Sequence, residues 1–307
     1  MVPPRVNVIV NTYNHAPYLR GAVESVLAQK GVSFDLTIID DVSTDGTGAI
    51  IEAFASAHPG LVKVVCPPAN LFSSAELRRA INRAEGEFIA LMDGDDFWTD
   101  SAKLRKQVAF LDEHPGFSMC FHDCILVDED GRVVQDTLFR AGPPPAWGTY
   151  RDIARRNYVP GPSPMIRRDA LAPLPEWIDP CDWSDWALHL IAAEHGPIGF
   201  IPQPMAAYRA HAGGQWSGMS AEQRFEVTRR FLTDFAAHAS PSRARDLVRG
   251  ISAAWADTIA CLAGAGDVGG MRRSARRFAE LALARQGRTF MAGAAREVAE
   301  RLRKRLR

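Results

Sequence analysis

Two rhythms of apolar and polar positions alternate over the first hundred residues. Short, mostly apolar runs at Val6–Val10, Leu36–Ile39, Val62–Val65 and Phe88–Met92 have the length and composition of strands buried on both faces. Between them, Leu19, Ala22, Val23, Val26 and Leu27, then Ile50, Ile51 and Phe54, then Leu77, Ala80, Ile81 and Ala84 recur at helical spacing. Ser43 or Asp45 is suited to cap the second of these helices. Strands separated by helices of this length predict an α/β fold, a mostly parallel sheet with helices on both faces. Ligands of such sheets lie beyond the carboxyl ends of the strands. Those ends carry Asn11–Asn14, Asp40-Asp41 and Asp93–Asp96.

The middle third breaks the rhythm. Leu104, Val108 and Leu111 mark a helix that stops near His114-Pro115-Gly116. Phe117–Val127 and Arg132–Val134 read as strands joined by the turn Asp128–Gly131, and Ala141–Gly148, with three successive prolines, as a loop. Asp185–His195 has helical spacing, and strands follow at Ile198–Ile201 and Met205–Arg209. From Ala221 onward the pattern is helical, with stripes at Leu247, Ile251, Ala254, Thr258 and Leu262, at Met271, Ala275, Phe278 and Ala282, and at Ala294, Val298 and Leu302. Three parts are expected: residues 1–98 and 99–220 as two halves of one α/β domain, and 221–307 as a helical extension.

Composition narrows the function classes. Apolar residues are 47% and charged residues 23% of 307, so the chain can bury a core and is not wholly disordered. Acidic and basic residues balance at 36 each, which argues against a protein built to coat nucleic acid. The last helices are nevertheless rich in arginine, and a peripheral contact with anionic lipid is expected to compete with a simple solvated cap. Five scattered cysteines, none in a C-x-x-C pair, point to a reduced chain without a disulfide or zinc framework. No leader pattern precedes the first strand and no apolar run reaches the length of a membrane span, so a cytoplasmic location is expected.

Three strand ends carry candidate chemistry. Asp93-Gly94-Asp95 places two carboxylates one residue apart, and hard oxygen ligands of this kind suit Mg²⁺ or Mn²⁺, which in turn grip a diphosphate. Asp41 could accept the N3–H of a uracil ring. Thr12, Tyr13 and Asn14 could hold a base or ribose, with Tyr13 stacking.

In their order and spacing these pieces resemble glycosyltransferase family 2, the inverting sugar transferases of the GT-A, Rossmann-like fold. The resemblance runs through Val8–Asn14, Ile38–Thr47 and Ala84–Trp98, continues in Asp185–Leu190 and Tyr208–His211, and covers about residues 5 to 220. The family often has Pro where this chain has Asn11, and Gly where it has Val42. The resemblance implies a nucleotide diphosphate sugar as donor, uridine or thymidine favoured, and a saccharide, lipid-linked or protein hydroxyl as acceptor, in surface polysaccharide or glycoconjugate assembly. It implies Mn²⁺ or Mg²⁺ at Asp93, Asp95 and His211, donor contacts from Thr12, Tyr13, Asn14, Asp41, Asp93 and Asp95, and Asp185 as catalytic base, with Asp182 its competitor. Arg78 or its neighbour Arg79 could pair with the donor phosphates, and Arg78 is counted with the donor ligands. Trp147, Tyr158, Trp177, Trp183 and Trp216 offer apolar faces for an acceptor sugar. A non-catalytic nucleotide-sugar-binding scaffold is the alternative, opposed by the retained carboxylates. A sugar nucleotidyltransferase would need a glycine-rich basic loop, and Asn11–Pro17 contains neither Gly nor Lys.

Overall fold

The structure, a computed structural model, describes residues 3–70, 74–180, 184–214, 216 and 218–284. Two compact units emerge: residues 1–149 with 159–211, and residues 150–158 with 212–307.

The first unit is built on one sheet. Strands β1 (Val6–Thr12), β2 (Phe34–Asp40), β3 (Val62–Val65) and β4 (Phe88–Asp93) alternate with helices α1 (Ala16–Leu27), α2 (Thr47–Ala57) and α3 (Ala75–Arg83). Next come β5 (Phe97–Trp98), α4 (Lys103–Glu113), β6 (Met119–Val127), β7 (Val133–Gln135) and β8 (Trp147–Gly148), then β9 (Met165–Arg167), a helix at Ser184–Ala192, and β10 (Ile198–Arg209). The strand order is β3-β2-β1-β4-β9-β6-β10-β5, with β7 on β6 and β8 on β10. Val6 pairs in parallel with Phe34 and with Phe88, which brings the carboxyl ends of β1, β2 and β4 to one edge. Strand β9 lies antiparallel between β4 and β6, so β6 and β10 run in the direction of β4 and end at that same edge.

Both faces of the central strands are buried, as a doubly covered sheet requires. Val8 and Val10 pack with Leu19, Val23, Leu36, Ile38 and Met92 in one core, and Ile9 and Ile89 are buried as well. In α1, Pro17 stands in the first turn and Leu19, Ala22, Val23 and Val26 form the buried stripe. The sheet runs through both halves expected on either side of residue 98.

Several expectations change. The two strands expected at 198–201 and 205–209 are one strand, β10, whose pairing with β6 shifts register between Ile201 and Ala206, where Pro202 and Pro204 cannot donate to the ladder. Trp147-Gly148, expected as loop, pairs with the start of β10. Helix α2 begins at Thr47 behind Gly46, whose φ is 100°, so neither Ser43 nor Asp45 occupies the cap position. Asp45 acts one step away, accepting from the Thr47 N–H at 3.1 Å and from the Ala16 N–H at 3.0 Å, and so joins the starts of α2 and α1.

In the second unit, α8 (Pro241–Gly264) packs against α5 (Tyr150–Arg155), α7 (Ala221–Ala236) and α9 (Val268–Ala284), the helix at Ser184–Ala192 being α6 of the first unit. Ser220 and Gln223 close a capping box at the start of α7. Gly250 lets α8 approach α5, since a Cβ there would stand 2.0 Å from the Ala154 carbonyl oxygen. The stripe at Ala294, Val298 and Leu302, the Leu71–Ser73 segment, Cys181, Asp182 and Trp183 fall outside the described residues, as do the side chains of Phe278 and Ala282. Among the described residues no helix is long and apolar enough to cross a membrane.

Candidate active site

Three loops at one sheet edge are stitched to each other. Asn14, after β1, takes φ 55°, a left-handed conformation that asparagine tolerates. Its N–H donates to Ser43 Oγ at 2.8 Å, and its Oδ1 accepts from the Thr44 N–H at 2.8 Å. The Asp41 N–H reaches back to the Thr12 carbonyl at 3.0 Å. Of the two aspartates that close β2, Asp40 is buried and bonded to the Ser43 N–H and hydroxyl. Asp41 stands half-buried at the strand end and Tyr13 is exposed at the end of β1.

The third loop is Asp93–Asp96. Gly94 is required there by close approach: a Cβ would stand 2.8 Å from Thr12 Oγ1 and 3.1 Å from His15 Nδ1. Those two polar atoms are buried and unpartnered, and both face this turn. Asp93, Asp95 and Asp96 each bring a carboxylate oxygen within 4.8 Å of the others. Such an arrangement is self-repelling. Desolvation, then the charges of Asp95 and Asp93, raise the pKa of buried Asp96 well above the carboxylate range. Crowding by protein, then Asp95 and Asp185, push Asp93 in the same direction. Solvent reaches Asp93, so repulsion is its more durable cause.

Two histidines border the cluster. His211 Nε2 lies 3.0 Å from Asp95 Oδ2, and His15 Nε2 lies 3.9 Å from the same oxygen. Burial lowers the His15 pKa, opposed by Asp95, and so favours the neutral ring, the form that ligates metals. His211 reaches this place through Arg209, whose backbone N–H donates to Asp96 Oδ1 at 2.8 Å and whose Nε donates to the Asp95 carbonyl at 2.8 Å. The guanidinium is sandwiched by Tyr18 and Phe97, 4.7 and 5.4 Å from their ring centres. Hard carboxylate oxygens that repel each other, an imidazole beside them, and orphaned polar atoms under the turn fit a divalent cation such as Mn²⁺ or Mg²⁺.

Asp185 stands in the first turn of α6, half-buried, and its charge is felt by Asp93, by Tyr208 and by His189. The sheet edge therefore brings together Thr12, Tyr13, Asn14, Asp41, Asp93, Asp95, Asp185 and His211. It does not bring Arg78 with them: that guanidinium is bound to Asp179, Nε to Oδ1 at 2.7 Å and Nη2 to Oδ2 at 3.0 Å. Trp147 pairs with Gly199 at the start of β10, the opposite edge of the sheet. Tyr158 and Trp216 belong to the second unit.

Some contributors have no motif. Gly161 lies against the cluster, its missing Cβ 3.6 Å from Asp93 Oδ2 and 3.8 Å from Asp96 Oδ2. Its loop is held from beneath, with Trp98 Nε1 donating to the Pro162 carbonyl at 3.1 Å and Gln107 Nε2 to the Ser163 carbonyl at 2.8 Å. Lys103 is fully buried, donates to Gln107 Oε1 at 2.8 Å, and sits 4.1 Å from the Trp98 ring centre. A signal was present: Lys103 and Gln107 continue, at helical spacing, the stripe of Leu111.

Comparison with known proteins agrees with this geometry. Residues 7–171 match the family model of glycosyl transferase family 2. An uncharacterized protein of Mycobacterium tuberculosis is 34% identical over 226 residues, 71% of this chain and 62% of that one. A putative teichuronic acid biosynthesis glycosyltransferase of Bacillus subtilis is 31% identical over 54% of this chain and 63% of its own length. The chain thus spans about six-tenths of the length of these curated relatives. Among solved structures, residues 1–349 of TarS from S. aureus in complex with UDP-GlcNAc superpose with a TM-score of 0.58 at 19% identity, covering 89% of this chain and 91% of that one. A mannosyltransferase from Pyrobaculum calidifontis in complex with GDP-Man and Mn²⁺ gives 0.57 at 20% identity, covering 97% and 88%.

Proposed function

Because the chain belongs to glycosyl transferase family 2, we propose that it moves a sugar from a nucleotide diphosphate sugar to an acceptor hydroxyl, with inversion at the anomeric carbon. The observation that carries this reading is the Asp93, Asp95 and Asp96 cluster at the carboxyl edge of the sheet, with Asp185 near enough for its charge to act on Asp93. Asp95, Asp93 and His211 would hold Mn²⁺ or Mg²⁺. When bound, the ion supplies positive charge to the departing diphosphate, so no acid need protonate it. Asp185 takes the proton of the acceptor hydroxyl as its oxygen bonds to the anomeric carbon and the carbon–phosphate oxygen bond breaks towards the diphosphate. Asp41 accepts a hydrogen bond from the N3–H of uracil or thymine, while Thr12, Tyr13 and Asn14 enclose the nucleoside.

Support for the donor class comes from the two solved neighbours, which hold UDP-GlcNAc and GDP-Man, and support for the metal from the Mn²⁺ of the second. The Bacillus relative, named for teichuronic acid biosynthesis, supports an acceptor that belongs to a growing surface polysaccharide.

A thermal-shift panel of uridine, thymidine, guanosine and cytidine diphosphate sugars, with and without Mn²⁺, tests this reading. A ligand at 100 times its Kd that binds only the folded state adds about 2.7 kcal/mol of stability. A uridine or thymidine sugar is expected to raise the melting temperature only with metal, and to release its nucleoside diphosphate on incubation. No shift with any nucleotide sugar contradicts the proposal.

A further inference from the structure

Beside the acidic cluster stands a glycine that the fold itself does not require. Gly161 does not take a left-handed φ. Apart from its chain neighbours, a Cβ at this position would meet only two heavy atoms within 4 Å among the described residues, Asp93 Oδ2 at 3.6 Å and Asp96 Oδ2 at 3.8 Å. Both are ordinary contact distances, so alanine would fit, but its methyl would cover an oxygen of each carboxylate. Asp96 spends its other oxygen, Oδ1, on the Arg209 N–H at 2.8 Å. The turn that carries Gly161 is not free to move aside. Pro160 and Pro162 flank the glycine and stiffen its backbone. Ser163 closes the turn on the Pro160 carbonyl, with its N–H at 3.0 Å and its hydroxyl at 2.7 Å. Trp98 and Gln107 hold the next two carbonyls from beneath, and Lys103 fixes the Gln107 amide by donating to its oxygen. Two residues on, Met165 pairs with Ala90 of β4, the strand that ends in Asp93. A side chain added at 161 is therefore pressed towards the carboxylates. A second sign of a ligand is Thr12 Oγ1, buried and unpartnered under the same acidic turn.

We propose that Gly161 keeps the Asp93 and Asp96 oxygens open to the divalent cation, and that the pinned Pro160–Ser163 turn is the wall that sets the width of the cation's site. The inference rests on the glycosyltransferase reading of that site. A small hard cation held by one or two carboxylates brings waters or substrate phosphate with it, and these need the space that a side chain at 161 would fill. The glycine has an opposite effect on the fold. Where the backbone suits alanine, replacing glycine stabilises the protein, because the unfolded chain loses freedom. Gly161→Ala therefore separates two effects of opposite sign: the metal-free fold gains stability while the cation is held more weakly. A glycine kept for packing alone would lose both together.

The test uses the full, metal-stripped chain as wild type, Gly161→Ala and Gly161→Val. Two quantities are read: the melting temperature without metal, and the affinity for Mn²⁺ by calorimetry, alone and in the presence of UDP. Gly161→Ala is expected to melt at or above the wild type. It should bind Mn²⁺ about tenfold more weakly, and Gly161→Val more weakly still. Equal Mn²⁺ affinity in the three proteins would overturn the inference, since the cation would then meet the carboxylates from another side. A metal-free Gly161→Ala that melts clearly below the wild type would overturn it as well, by giving the glycine a structural role. Both of those results leave the glycosyltransferase reading standing. A wild type that binds no Mn²⁺, with or without UDP, removes the metal from that reading and this inference with it.

Discussion

At the scale of single residues, replacing Asp185 with Asn keeps the shape of the side chain and removes its capacity to take a proton. Turnover is expected to fall about 10²–10⁴-fold, while calorimetry with UDP and Mn²⁺ shows unchanged affinity. A variant as active as the wild type would place the base elsewhere. Asp41 makes a separate prediction. Cytosine offers no N3–H, so cytidine diphosphate should bind more weakly than uridine diphosphate by about 1.5–3 kcal/mol, the worth of one charge-assisted hydrogen bond. Equal affinities in parallel titrations would remove Asp41 from the base pocket. Asp41 and Asp93 stand out in the sequence because each closes an apolar strand, whereas Asp185, in the first turn of a helix, is marked only by the family resemblance. The pairing of Arg78 with Asp179 was not legible, because nothing local in the sequence brings Asp179 to α3. His15 and Gly161 escaped because each matters only through residues distant in the chain, Asp95 for the one and Asp93 with Asp96 for the other.

At the scale of elements, the loop after β2 carries a local conflict. Val42 has φ 63°, a left-handed conformation that a β-branched residue adopts at a cost of roughly 1–2 kcal/mol. Val42→Gly removes that strain and loosens the unfolded chain by about 0.5–1 kcal/mol. The net expectation is a stabilisation of up to about 1 kcal/mol in denaturant unfolding, whereas a clear loss would mean that the Val42 side chain contributes contacts that outweigh its strain. Buried Lys103 in α4 gives a second test. Desolvation lowers its folded pKa from the ordinary 10.5 to about 7. Between those values the unfolded chain holds a proton that the folded protein lacks, so this group's contribution to stability rises with pH across that window, and below it the full destabilisation remains. Relative to Lys103→Met, the wild type should therefore gain about 2 kcal/mol between pH 7 and pH 9. A difference independent of pH would show that Lys103 stays charged in the core.

The long elements were readable because each combines a periodic apolar stripe with a boundary signal, as α1 does with Pro17 and the buried set Leu19 to Val26. Strands β5 and β9 were not, since two or three residues carry no period. Yet β9 sits between β4 and β6, and its place in the sheet depends on pairing with residues some 75 and 45 positions earlier.

For the whole molecule, the apolar pattern foretold an α/β sheet followed by helices, and the acidic strand ends pointed to the edge where Asp93, Asp95 and Asp96 cluster. It did not foretell that Tyr150–Tyr158 leaves the sheet-bearing unit to join the helices after residue 212, because that association is made by tertiary packing such as the close approach at Gly250. The functional account stands on one assertion, that Asp95 and its neighbours make donor binding depend on a divalent cation. Titration of UDP into metal-stripped protein, with and without Mn²⁺, for the wild type and for Asp95→Ala, measures it directly. The wild type should bind at least about tenfold more tightly with Mn²⁺, a difference of about 1.4 kcal/mol, and the folded variant should show no gain. Equal affinity with and without metal in the wild type, or a full gain in the variant, would contradict the account.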